Sequence, residues 1–86
     1  MPAISRFHGI VIPLWFRDHE SPHVHARSAG RGDLLDVRRM TAIRGNLPRR
    51  QVRSVLRWAA LHQHELLEDW DRSRANQPLL PIAPLP

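Results

Sequence analysis

The first half of the chain alternates between short apolar runs and polar breaks that contain glycine or proline, a pattern typical of antiparallel strands. Residues 7–16 are rich in β-branched and aromatic side chains, and the segment RDHESP after them has the polarity and the proline of a turn. Residues 23–28 then return as a strand, AGRGD supplies two glycines for a second turn, and DLLDVRR continues as a third strand to about Arg39. With a short fourth strand at residues 42–44, the pattern predicts an antiparallel β-meander of three to four strands from Phe7 to Arg44.

The second half changes to a three-and-four spacing of apolar residues, which predicts helix. The residues with this spacing are Val52, Val55, Leu56 and Ala59, followed by Leu66, Leu67 and Trp70. We expect Asn46 to cap the first helix and Pro48 to lie in its first turn. Arginines crowd the start of this half and acids its end, which opposes the dipole of a single helix, so we expect a break at residues 62–64. Strands followed by helices predict an α+β fold in which two C-terminal helices pack on the sheet.

The hairpin of the first two predicted strands has two different faces. If Phe16 pairs near Pro22, side-chain alternation puts an aliphatic set on the core side. That set is Ile10, Ile12, Leu14, Phe16, Val24 and Ala26. Trp15, His23 and His25 fall on the opposite side, which is either a contact surface for a base, a peptide or a partner protein, or a side that the helices cover.

The length of 86 residues predicts one domain, which we assign to residues 1–77, and residues 78–86 are expected to form a proline-rich extended tail. The chain has no cysteine, which fits a reducing compartment, so we expect a cytoplasmic protein. No apolar segment reaches a membrane-spanning length, and we expect no membrane partner.

A stripe of arginines on the first predicted helix is the candidate contact for a polyanion. The net charge is +5, and all thirteen basic residues are arginine. Arg49, Arg53 and Arg57 recur at four-residue spacing, with Arg50 beside them, and cations at a helix N-terminus are easier to explain if an anion binds there. Nucleic acid is therefore the candidate partner of this stripe. The alternative is a solvated face neutralised in part by nearby acids.

The segment DHESPHVHARS is a candidate metal site. His23 and His25 are two residues apart on a strand, so they share a face and can grip one divalent ion such as zinc. Asp18, His19 or His62 are the candidates to complete the ligand shell. The alternative is that these histidines are ordinary hydrogen-bonded or solvated side chains, since an HxH pair alone is a weak motif.

Three segments resemble a known family of small bacterial proteins. They are ISRFHGI, the DHxxPHxH segment with Asp18, His19, Pro22, His23 and His25, and WAxLHxxEL with Trp58, His62, Glu65 and Leu66. The family is the domain of unknown function family 4160, and the resemblance extends over nearly the whole chain. It implies no activity, but its members are encoded beside other small proteins, as in toxin–antitoxin pairs.

Two classes of function follow from these features. In the first, the protein is a noncatalytic binding protein, one component of a two-gene module, which contacts a protein partner encoded nearby and nucleic acid through its arginines. In the second, His23, His25 and a third ligand hold a metal ion that activates water, which would make the protein a metal-dependent hydrolase or nuclease. We favour the first class because no nucleophile with a neighbouring base and no glycine-rich phosphate loop is present.

Overall fold

The computed structural model describes residues 3–13 and 22–86, and these ranges form an antiparallel sheet followed by two helices. In chain order the elements are β1 (Ala3–Phe7), β2 (Ile10–Pro13), β3 (His23–Ser28), β4 (Arg31–Asp36), β5 (Thr41–Gly45), α1 (Arg49–Leu61) and α2 (Gln63–Arg74). The strands lie in the sheet in their sequence order, β1-β2-β3-β4-β5. The predicted α+β meander with two C-terminal helices is therefore confirmed.

The predicted number of strands, three to four, is wrong, because the described residues contain five. The segment that we expected to be one strand from residue 7 is interrupted by a hairpin turn at His8 and Gly9. Both turn residues have positive φ, 51° and 76°, which is the conformation of the tight turns that join antiparallel strands. Phe7 therefore ends β1 and pairs with Ile10 at the start of β2. Residues 14–16 of the expected strand lie outside the described residues.

The pairing of β2 with β3 follows the predicted register. Val11 pairs with Arg27, which is the offset that the expected pairing implies for the described residues of the two strands. The expected core side is confirmed for its four described members, Ile10, Ile12, Val24 and Ala26, which are all buried.

The two helices meet at His62, within the predicted break. His62 has φ −122° and ψ 27°, so it leaves the helical conformation, and Glu65 lies in the first turn of α2, where an acid is favoured by the dipole. The expectation that Asn46 caps the first helix is wrong. Pro48 occupies the N-cap position of α1 without a side-chain cap, and Asn46 Oδ1 instead accepts a hydrogen bond from the Gly32 amide at 3.0 Å. Neither described helix is long and apolar enough to cross a membrane.

The core lies between one face of the sheet and the helices. Trp58 and Val55 of α1 are fully buried in one cluster with Ile12 of β2, and the Trp58 ring lies 5.2 Å from the ring of Phe7 in β1, between centroids. The proline-rich segment 78–86 contains no helix or strand, but its Ile82 and Leu85 belong to the same core cluster. Two hydrogen bonds join this segment to the rest of the fold: Ile82 N donates to Ile4 O at 2.7 Å, and the Trp58 indole donates to the carbonyl of residue 83 at 2.8 Å.

Candidate functional site

The arginine stripe lies on the solvent side of α1. Val55, Trp58 and Ala59 face the core, so the helix is amphipathic and its opposite side is free of packing constraints. The four predicted residues are all exposed: Arg49, Arg50, Arg53 and Arg57. The structure therefore brings the four predicted arginines together on the first two to three turns of one helix.

Little within the described part of the chain neutralises this stripe. The first turn of α1 contains no acid, and none of the four arginines forms an ion pair with a described carboxylate. The acids that precede the helix are engaged with backbone amides, since Asp33 Oδ1 accepts from Leu47 N and Asp36 Oδ1 accepts from the amides of Arg38 and Arg39. Neither of these two described acids forms an ion pair with the stripe, so any neutralisation by these acids acts only at longer range.

The arginine stripe also has a local energetic cost. Like charges four residues apart on a helix destabilise it by about 0.2–0.5 kcal/mol per pair, and a cation at the helix N-terminus costs about 0.3–1 kcal/mol. An external anion bound beside the stripe would offset both effects. This is the chemistry that the arrangement can perform: it can bind an oxyanion such as phosphate through guanidinium donors.

The two histidines of β3 lie side by side. The ring centroids of His23 and His25 are 5.5 Å apart, with the planes at 78°. His23 is buried and also contacts the indole of Trp70 at 5.3 Å between ring centroids, whereas His25 is half-buried. This side of the hairpin was expected to be either a contact surface or a side that the helices cover. At His23 it is covered by a helix, because Trp70 of α2 packs against the imidazole ring.

The structure does not assemble the predicted metal ligands among the residues it describes. Within residues 3–13 and 22–86, no three His, Asp or Glu side chains are placed so that they could hold a metal ion. His62 is engaged elsewhere, with its Nδ1 2.6 Å from Glu65 Oε1 and its ring against Trp58. Asp18 and His19 lie outside the described residues, so a site that includes them stays a prediction.

A buried polar cluster beside His23 is a feature that we did not predict. Asp69 and Ser73 are each about 4% exposed, and both line the same small cavity as His23. Asp69 Oδ1 accepts a hydrogen bond from Leu80 N at 2.8 Å, but Asp69 Oδ2 and Ser73 Oγ have no hydrogen-bond partner among the described residues. Burial raises the pKa of the Asp69 carboxyl above its ordinary value of 3.8, and the Leu80 amide lowers it by less.

The sequence carries a signal for this cluster. Asp69 and Ser73 fall at helical spacing from Leu66, on the apolar side of α2 that Trp70 also occupies. A polar residue on the apolar stripe of an amphipathic helix is expected to be buried, so periodicity alone could have identified both.

Comparison with known proteins gives a family but no function. The family model described as Domain of unknown function (DUF4160) matches residues 9–71, well over half of the chain. No curated protein and no solved structure matches the chain.

Proposed function

The chain belongs to the DUF4160 family, a family defined by a domain of unknown function, and we propose that it is a noncatalytic binding protein that contacts nucleic acid through α1. We further propose that it acts as one component of a two-gene, toxin–antitoxin-like module with a protein partner encoded nearby. The observation that carries the nucleic-acid proposal is the exposed arginine stripe of α1, which forms no ion pair with a described acid.

The chemistry of the stripe determines what kind of binding is expected. Guanidinium groups on a helix surface donate forked hydrogen bonds to phosphate oxygens, and such contacts carry no direct information on base sequence. The net charge of +5 adds a long-range attraction to any polyanion. Binding is therefore expected to be electrostatic, with little sequence preference.

The experiment is a binding titration of fluorescently labelled duplex DNA with the wild type and with Arg49→Gln/Arg53→Gln. Glutamine is nearly as good a helix former as arginine, so the variant keeps α1 and loses two charges. The matched control is Arg38→Gln/Arg39→Gln, which removes two charges from the exposed turn before β5. We expect the α1 variant to lose about tenfold in affinity or more, and the control to lose much less. Equal losses in the two variants would show that only net charge matters and would contradict a contact on α1.

The protein-partner part of the proposal rests on the family resemblance and is tested separately. Co-expression of the tagged chain with the product of the adjacent gene should give a complex that stays together in gel filtration. If the two proteins elute apart at micromolar concentration, the two-gene part fails, while the nucleic-acid titration still decides the role of the arginine stripe.

A further inference from the structure

We propose that the outer face of the sheet, the face opposite to the core cluster, carries a second nucleic-acid contact that receives one nucleotide of a single strand. This inference rests on the proposed function and deepens it, because it specifies single-stranded nucleic acid as the substrate class. The contact is a depression of about 660 Å³, which we call the outer-face depression. Its lining side chains come from four neighbouring strands: Val11, His25, Arg27, Leu34 and Arg44, with Gly32 between them.

The strand register explains why these residues meet. Val11 pairs with Arg27, and Arg27 pairs with Gly32, so these three residues form one row across the sheet. The Gly32 position of this row has no side chain. In the next row, Leu34 pairs with Arg44. On β3, Val24 and Ala26 point to the core, so His25 and Arg27, which alternate with them, point to the outer face. Residues paired directly with His25 and Arg27 on the neighbouring strands share this face. The Cγ of Arg27 lies 3.6 Å from the position that a Cβ of Gly32 would take.

The depression combines an apolar floor with a cationic border. Val11 is half-buried and Leu34 is buried, whereas Arg27, Arg31 and Arg44 are exposed. None of these three arginines forms an ion pair with a described acid. Asp33 also lines the depression, but it is buried, and its Oδ1 accepts a hydrogen bond from the Leu47 amide. An apolar floor with guanidinium groups at the border suits a flat, uncharged ring attached to a phosphate, which is the chemistry of a nucleotide.

The geometry favours a single strand over a duplex. The volume lies within the range of about 300–1,000 Å³ that is typical of small-ligand sites. Unstacked bases of single strands bind on sheet faces and stack on guanidinium planes, and Arg27 provides such a group here. The bases of an intact duplex are stacked and paired, so they cannot enter a depression of this kind.

Strand β5 contacts α1 and also contributes to the border of the outer-face depression. This strand is at the edge of the sheet, all five of its residues are exposed, and α1 contacts it. Arg44 belongs to β5 and to the border of the depression. A single strand could therefore pass from α1 across the β5 edge into the depression, with phosphates on arginines at both ends.

The test compares two nucleic acids against two double variants. The probes are a labelled single-stranded oligonucleotide and a duplex of the same length, and the variants are Arg27→Gln/Arg44→Gln for the depression and Arg49→Gln/Arg53→Gln for α1. We expect the depression variant to lose about tenfold in single-strand affinity with duplex affinity nearly unchanged, and the α1 variant to lose affinity for both. Arg38→Gln/Arg39→Gln, in the exposed turn before β5, is the matched control.

Each outcome is decisive. Equal losses of single-strand affinity in the depression variant and the control would overturn the site, even if α1 binds as proposed. If the depression variant lost duplex and single-strand affinity equally, the proposed site would also be overturned, because an unstacked nucleobase would then contribute nothing to binding. If the α1 variant binds both probes as the wild type does, the proposed function of α1 fails, while a selective loss in the depression variant would still support this site. A second readout is NMR titration with a mononucleotide, which should shift the methyl resonances of Val11 and Leu34.

Discussion

Replacement of Asp69 by asparagine should stabilise the protein at neutral pH. Asp69 is buried on α2, and its Oδ2 has no hydrogen-bond partner among the described residues. Asparagine has the same shape, keeps an oxygen that can accept from the Leu80 amide, and carries no charge. Its amide nitrogen can donate within the cavity where Ser73 Oγ also lacks a partner.

The magnitude follows from two opposing effects. An unsatisfied buried acceptor costs about 1–3 kcal/mol, whereas exchanging a charged acceptor for a neutral one weakens the bond from Leu80 N by about 1 kcal/mol. Burial has a larger effect on the pKa of Asp69 than the Leu80 hydrogen bond has, so relief of the buried, unsatisfied acceptor should exceed the loss from the weaker bond to Leu80 N. We expect the free energy of unfolding to rise by about 1 kcal/mol at pH 7, which corresponds to an increase of about 4–8 °C in Tm for a domain of this size.

The gain should depend on pH in a defined direction. The pKa of Asp69 is higher in the folded protein than its ordinary value of 3.8, so its proton stabilises the fold at low pH, and this contribution is lost as the pH rises through the folded pKa. The advantage of Asp69→Asn over the wild type should therefore be largest at neutral pH and should narrow as the pH falls towards 4.

Urea denaturation at several pH values measures this difference. Asp71→Asn, an equal change of charge at an exposed position of the same helix, is the control and should alter the free energy of unfolding by less than about 0.5 kcal/mol. If Asp69→Asn destabilises the protein at pH 7, or if its effect is the same at every pH, the cost that we assign to the buried carboxylate is wrong.

Three further predictions concern the fold and the histidines. Gly45→Ala should destabilise the protein by about 2 kcal/mol or more, since a Cβ at residue 45 would overlap the backbone of β4. Gly30→Ala has open space around it and should cost only the strain of its positive φ, about 1 kcal/mol. Equal losses of stability in thermal denaturation of the two variants would contradict the overlap at Gly45. Ile82→Ala should cost about 2–4 kcal/mol, because Ile82 is part of the core, and a loss below about 0.5 kcal/mol would show that the segment after α2 does not contribute. If the β3 histidines chelate zinc, calorimetric titration should show far weaker binding to His25→Ala than to the wild type, and equal weak binding by both would remove the site.

The order and direction of most elements could be predicted because the evidence is local. The two helices follow from apolar spacing, and the break at His62 follows from the reversed distribution of charge along residues 49–71. The register of β2 with β3 could be inferred because a slip of one residue would turn the aliphatic residues of one strand to the other face, and the short turn-like sequence RDHESP limits larger shifts.

The features that sequence reasoning missed depend on backbone conformation or on distant contacts. The turn at His8 needs a residue other than glycine at positive φ, which is uncommon, so the apolar run looked continuous. Asn46 resembled a helix cap because its competing partner, the Gly32 amide, lies on a strand fourteen positions earlier. The outer-face depression was missed for the same reason, since its lining residues Arg27, Leu34 and Arg44 meet only through the pairing of three strands.

The proposal that α1 binds nucleic acid is tested most directly by the salt dependence of duplex affinity. The logarithm of the association constant should fall linearly with the logarithm of salt concentration, with a slope of about −0.9 for each phosphate contact on duplex DNA. If Arg49 and Arg53 each contact one phosphate, the slope of Arg49→Gln/Arg53→Gln should be shallower than that of the wild type by about 1.8. An unchanged slope, with both proteins folded, would show that the arginines of α1 are a solvated helix surface and would contradict the proposal.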